Sequence, residues 1–184
     1  MINVEKIDVW GFEHAIRGMR NPLNSWNKSD SKFYCREETI DIGEADLDLM
    51  RRLFAAGTEH RKYLRQIFVS MDITAPLYWW KEFDTYKVGT VANSCSTMHK
   101  IADKEFTLDD FSHEHLLTDF SNEEEIVSYN DEYDNSALDV LDWVVDALNH
   151  FRNLYLETKD KKYWWQMIQL LPSSYNQKRT VAMN

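Results

Sequence analysis

Residues 136–157, SALDVLDWVVDALNHFRNLYLE, leave this chain few folding options. Ala137, Leu141, Val144, Leu148, Phe151 and Tyr155 share one face at helical spacing, and Asp139, Asp142 and Asp146 share the other. An apolar stripe of this length has to be buried against another element, so the spacing predicts a long helix docked on a core. The three carboxylates then form its solvated side. KKYWWQMIQLL, 161–171, reads as a second helix that stops at Leu171 and Pro172.

The first half of the chain alternates between strand and helix signals. INVEKIDVW alternates in two short pieces, Ile2/Val4 and Ile7/Val9, and predicts a half-buried strand. FEHAIRGM is read as a short helix, followed by a polar loop over RNPLNSWNKSDSKFY. EADLDLMRRLFAAG predicts a helix with Leu47, Met50 and Phe54 inward, Leu49 and Leu53 alongside, and Gly57 as its C-terminal cap. QIFVSMDI alternates through Ile67, Val69, Met71 and Ile73, the pattern of a strand with one buried face. Thr74 is expected to cap a helix over APLYWWKEFDTYKV, with Pro76 in its first turn. That helix leads past Gly89 into TVANSCSTMHK, a polar run placed where a strand-helix unit often presents a ligand segment. SSYNQKRTVAMN is expected to form a last helix capped by Ser173 or Ser174. The sum is an α+β fold, a mixed sheet packed with helices, in a single domain over 1–184 with an acidic insertion around 105–135.

Composition narrows the function classes. Hydrophobic residues make up 43%, with only five Gly and three Pro, so the chain is globular rather than linker-rich. Two cysteines, Cys35 and Cys95, are too few for a disulfide framework, and no apolar signal or spanning run is present; a cytoplasmic protein without a membrane partner is expected. The net charge of −10 is concentrated in residues 105–151, which hold fourteen acidic residues and no Lys or Arg. The remainder carries 21 basic against 17 acidic residues, so its surface tolerates an anionic ligand. Basic clusters no larger than RRL at 51–53 or HRK at 60–62 argue against nucleic acid as a partner.

Several local patterns have simpler readings than chemistry. His113 and His115, spaced i, i+2, share a face only in a strand, and DFSHEHLLTDF has no strand pattern, so no metal site is expected. Glu123, Glu124 and Glu125 are read as a solvated loop. Cys95 between Ser94 and Ser96, four residues before His99, is read as a small buried residue rather than a nucleophile. In Trp79-Trp80 and Trp164-Trp165, one ring of each pair is expected in the core and the other exposed or at an interface.

Read in order, LMRRLFAAGTEHRKYLRQIFVSMDITAPLYWWKEFDTYKVGTVANSCSTMH and MIQLLPSSYNQKRTVAMN resemble the flavin-dependent thymidylate synthases. That family runs from a helix ending at Gly, through a buried strand and a helix, into an Arg-His-Arg and Ser-x-Asn-Glu-x-Ser-x-Arg-Tyr segment. It later closes a helix on Leu-Pro, followed by Tyr and Asn. Asn93 and Ser96 match the motif, His99 stands at its Tyr, and Leu171, Pro172, Tyr175 and Asn184 match the later region. The departures are as specific. Tyr86, Lys87 and Val88 replace the flavin-contacting triplet, Ser94 the motif Glu, Met98 the phosphate-holding Arg, and Ile168 the Arg before Leu-Pro; the family's last motif region lies beyond Asn184.

The resemblance implies a divergent, phage-type member that binds a nucleotide such as dUMP. Asn93, Ser94, Ser96, His99 and Arg179 would face the substrate, and Lys87 and Tyr175 the cofactor FAD. The family reaction is reductive methylation of dUMP with methylenetetrahydrofolate and reduced nicotinamide cofactor, carried out by a homo-oligomer, a tetramer by analogy. The lost guanidiniums, whose bidentate phosphate contacts Lys does not reproduce, imply an alternative: a catalytically inactive nucleotide-binding or protein-interaction module on the same fold.

Overall fold

The computed structural model describes residues 2–34, 39–118, 127–128 and 134–184. Cys35 and the run Glu123 to Glu125 lie outside the described residues, as does part of the acidic insertion. In chain order the elements are β1 (Asn3–Trp10), α1 (Phe12–Arg20), β2 (Lys32–Tyr34), β3 (Thr39–Asp41), α2 (Glu44–Ala55), β4 (Phe68–Pro76), α3 (Leu77–Phe83), β5 (Val91–Ser94), α4 (Thr97–Lys100), β6 (Val127–Ser128), β7 (Asp134–Asn135), α5 (Ala137–Thr158), α6 (Lys161–Leu170) and β8 (Asn176–Met183). The main sheet has the order β1-β4-β8-β5, and β2-β3 and β6-β7 are antiparallel pairs. The fold is α+β, with a sheet and packed helices.

By internal contacts the chain divides into two compact units. One, the helical unit, comprises Met1–Val4, Ile73–Tyr86 and Asn93–Arg179; the other, the N-terminal unit, comprises Glu5–Asp72, Lys87–Ala92 and Thr180–Asn184.

In the helical unit, α5 starts at a capping box. Ser136 Oγ accepts from the Asp139 amide at 3.1 Å, and the Asp139 carboxylate accepts from the Ser136 amide at 2.8 Å. Asp139 therefore closes the helix start, while Asp142 and Asp146 form the exposed face expected of them. Leu141, Val145 and Leu148 are buried with Met167 of α6, and Val144, Phe151, Tyr155 and Trp164 pack against them. Asp160 caps α6 by accepting from the Lys162 amide at 2.9 Å. Trp80 is fully buried and Trp164 packs on the core, whereas Trp165 is exposed, so each Trp pair supplies a core ring.

The N-terminal unit is organised around an ion pair. Its core joins Ala15, Ile16, Met19 and Tyr63 to partly buried Leu49, Met50 and Leu53 of α2. The buried stripe of α2 is thus 46, 49, 50 and 53, and Phe54, expected inward, is 53% exposed. The reason is Asp46, which is fully buried and accepts from Arg20 Nε at 2.6 Å. It also accepts from the hydroxyls of Ser29 and Ser31 and from the amides of Asp30 and Ser31. Asp30 answers by accepting from the Ala45 and Asp46 amides, which satisfies the first turn of α2. Burial opposes ionisation of Asp46, but the Ser29, Ser31 and Arg20 hydrogen bonds prevail and hold its pKa down at about 2. Gly11, between β1 and α1, has φ +95°, and a Cβ there would meet the Gln66 carbonyl oxygen, so only glycine fits the turn. Gly57, at φ +112°, ends α2 as the sequence suggests.

Four expectations are corrected. Residues 173–184 are not a helix: from Asn176 to Met183 they form β8, an inner strand, and Ser173, which precedes it, accepts through its carbonyl from the Tyr78 amide of α3. Period-two burial explains this, since Gln177, Arg179, Val181 and Met183 are sheltered while Lys178 and Thr180 are exposed. Thr74 is strand rather than cap. The chain stays extended to Pro76, whose ring disfavours helix at the residue before it, and α3 runs only from Leu77 to Phe83. β1 is exposed along all eight residues instead of half buried, because it is an edge strand. Cys95 is exposed, because it follows the edge strand β5. The polar loop also contains structure: short 3-10 turns at Asn21–Leu23 and Trp26–Lys28, then β2.

Candidate functional site

Most of the residues expected at a site fall within the helical unit, on β5, α4 and β8. Asn93 and Ser94 are exposed on β5. Ser96 is the N-cap of α4, and its Oγ accepts from the His99 amide at 3.3 Å. The sequence explains the turn: a Ser ahead of a short helical stretch supplies the acceptor that the first free amides need. His99 is exposed and borders a cleft of about 420 Å³ with Asp103, Arg152, Tyr155 and Trp164.

β8 ties this segment down. The Cys95 amide donates to the Lys178 carbonyl at 3.1 Å. Gln177 Nε2 donates to the Cys95 carbonyl at 2.8 Å and to Thr97 Oγ1 at 2.9 Å. Gln177 Oε1 in turn accepts from Arg179 Nε at 2.9 Å. The Arg179 guanidinium lies 4.2 Å from the centroid of the Trp80 ring, and its Nη1 donates to both oxygens of Asp84 at 2.8 and 3.1 Å. The Trp80 indole N–H donates to the Gln177 carbonyl at 2.9 Å. The result is a relay from the end of α3, through Arg179 and Gln177, to the backbone of Cys95. Residue identity at 84 and 177 gave no hint of it.

Arg179 is therefore brought beside the β5–α4 segment with most of its donors engaged. Tyr175 belongs to a different environment: its ring packs on Phe111 at 5.6 Å and Phe106 at 6.3 Å. Burial pushes its phenol above the ordinary value, and the Asp110 charge adds to this. Lys87 lies in the N-terminal unit and is exposed just before the turn at Val88 and Gly89. His113, of the His-Glu-His run, hydrogen-bonds through Nδ1 with the Phe111 carbonyl at 2.9 Å. Among the described residues no group of three or more His, Cys, Asp or Glu is placed to share a metal ion.

A larger cleft, about 1050 Å³, lies within the N-terminal unit, bordered by Arg20, Asn24, Lys28, Arg52, His60 and Tyr63 among others. None of the residues expected to touch substrate or cofactor lines it. Two of its guanidiniums are ion-paired: Arg20 donates through Nε to Asp46, and Arg52 pairs with Asp48.

No protein-family model matches the chain, and no curated protein matches it in sequence. In structure it is similar to thymidylate synthase X from Helicobacter pylori with FAD and dUMP, at a TM-score of 0.64 and 17% identity, covering 100% of this chain and 78% of that one. It is also similar to the UMP/dUMP methylase PolB from Streptomyces cacaoi bound with 5-Br UMP, at a TM-score of 0.59 and 12% identity, covering 100% of this chain and 71% of that one. The same methylase with 5-Br dUMP gives 0.53 and 13%. Among the described residues, no helix is long and apolar enough to cross a membrane. Identities this low speak to architecture alone. Over its whole length, the chain has the fold of the flavin-dependent thymidylate synthase and UMP/dUMP methylase structures.

Proposed function

We propose that this protein is a divergent relative of the flavin-dependent thymidylate synthases that binds a dUMP-like pyrimidine nucleotide on the segment from Asn93 to His99. The observation that carries the reading is the fold likeness over the full chain to two proteins crystallised with uridine nucleotides. The segment suits that role chemically. Asn93 and Ser94 are exposed amide and hydroxyl groups able to pair with a pyrimidine edge, His99 and Ser96 flank them, and Arg179 supplies the nearby positive charge. The Gln177 contacts fix the backbone at Cys95, so less ordering is left for binding to cost.

A second reading adds FAD and reductive methylation of dUMP, and the Helicobacter pylori structure, which holds both molecules, favours it. The residues present do not fit FAD well. Tyr175 is packed among aromatic rings, Lys87 offers one exposed ammonium, and Tyr86 and Val88 contribute no guanidinium. No chemical step is therefore derived through the flavin, and the chain's own residues support nucleotide binding ahead of turnover. In either reading the protein is a cytoplasmic homo-oligomer. The exposed apolar side chains Ile7, Val9 and Trp10 of β1, with Phe68 stacked on Trp10 at 6.0 Å, support that assembly.

The test is titration with dUMP and, separately, with FAD. Saturable dUMP binding that weakens about three- to tenfold in Asn93→Ala, one neutral hydrogen bond's worth, is the expected result. Failure to bind any uridine nucleotide sinks the first reading. Uptake of FAD, seen as a flavin band at about 450 nm that survives gel filtration, supports the cofactor part of the second, and formation of dTMP from dUMP is the measurement for its reaction.

A further inference from the structure

Asp84 is an odd residue for its position. It follows the last residue of α3, and its amide donates to the Trp80 carbonyl at 2.8 Å. A carboxylate at the C-terminal end of a helix faces the negative end of the aligned peptide dipoles, which disfavours it. What offsets this is Arg179, whose Nη1 contacts both carboxylate oxygens. The two partners differ in freedom. The Arg179 side chain is only 14% exposed, over the Trp80 ring and held at Nε by Gln177, while the Asp84 side chain is 52% exposed. The guanidinium is thus fixed and the carboxylate is the movable partner.

We propose that Asp84 is an internal competitor for the anionic group of the ligand, so that a nucleotide phosphate reaches Arg179 by displacing the Asp84 carboxylate. This rests on the reading that the β5–α4 segment takes a phosphorylated nucleotide. A phosphate oxygen is a charge-assisted acceptor of the same geometry as the carboxylate it replaces, and the exchange leaves Trp80 and Gln177 in place around the guanidinium. Asp84 then sets how strongly the site discriminates a phosphorylated ligand from a nucleoside: it lowers affinity for any anion at Arg179 and leaves a neutral ligand unaffected. It also keeps Arg179 paired whenever no anion is bound, which preserves the Gln177 contact to the Cys95 carbonyl.

The experiment compares the full chain with Asp84→Asn and Asp84→Glu, titrated with dUMP and with deoxyuridine. The expected result is dUMP binding about two- to fivefold tighter in Asp84→Asn, the size of one part-exposed ion pair, with deoxyuridine affinity unchanged. Asp84→Glu, which keeps a carboxylate, is expected to return dUMP affinity toward that of the original chain. Equal dUMP affinity in the original chain and Asp84→Asn overturns the competitor role and leaves nucleotide binding standing. Equal strengthening for deoxyuridine also overturns it, since a neutral ligand does not compete with Asp84. Absence of binding by either ligand to any of the three proteins overturns both this inference and the nucleotide reading.

Discussion

In the helical unit, Leu141, Val145, Leu148 and Met167 close on one another with apolar surface alone, whereas the N-terminal unit sets Arg20 and Asp46 among Ile16, Met19 and Tyr63. The difference lies in what each unit has to hold. α5 and α6 are adjacent in sequence and long, so their stripes find each other with one short turn between them. In the N-terminal unit α1 is followed by two 3-10 turns, Asn21–Leu23 and Trp26–Lys28, that bury no side chain to pin them. Five hydrogen bonds to one carboxylate do that instead: Asp46 gathers Arg20 and residues 29–31, and Asp30 returns the contact to the start of α2. An apolar core tolerates graded damage. A buried ion pair fails steeply when one partner goes.

The contrast is sharpest at Asp46. Asp46→Ala strands the Arg20 guanidinium, of which Nη2 already has no hydrogen-bond partner among the described residues. Removing one member of a buried pair is expected to cost about 3–5 kcal/mol. The check is urea unfolding, read together with amide exchange in peptides from 12–34 and 44–66. A loss under about 1 kcal/mol, the range of an exposed pair, would show that the pair does not organise this unit. Replacing Arg20 and Asp46 together by apolar residues is a different experiment, because it leaves no charge uncompensated.

In the helical unit the comparable change is Leu148→Ala. Leu148 is fully buried between α5 and α6, and its truncation is expected to cost about 3 kcal/mol through lost burial and a residual cavity. Exchange should rise first in peptides from 141–170. If the 12–34 peptides lose protection to the same extent, the two cores unfold as one, and the distinction drawn between them fails.

These two sites also show how much the sequence disclosed. α5 was legible because its period and its polar face agree, and alternation likewise disclosed β4 as far as Ile73, though not its extension to Pro76. β8 was not. Eight residues of mixed polarity read equally well as a helix, and only their place between β4 and β5 makes them strand. Asp46 was hidden by its own position, since an acidic residue in the first turn of a helix normally needs no partner beyond the helix. At the candidate segment the sequence offers residue types and not wiring. Asn93, Ser96 and His99 mark the segment, but Arg179 and Asp84 meet across 95 residues of sequence and Gln177 joins them to Cys95, contacts that no local pattern encodes.

Acid provides the gentlest way to separate the two cores. The folded pKa of Asp46, about 2, is below its ordinary value of 3.8, so its contribution is a depressed-carboxylate one. Such a group stabilises fully above the unfolded value and loses that stabilisation as pH falls through the folded one. The shift corresponds to about 2 kcal/mol, present at pH 5 and lost progressively between about pH 4 and pH 2. The apolar contacts around Leu148 hold no buried carboxylate, so their protection should outlast that of the N-terminal unit through this window. Amide exchange followed from pH 5 downward is expected to show peptides 12–34 and 44–66 opening before 141–170. Asp46→Asn should flatten the pH dependence of the first set and leave that of the second unchanged. Simultaneous opening of both sets would mean that the ion pair is not what acid attacks first.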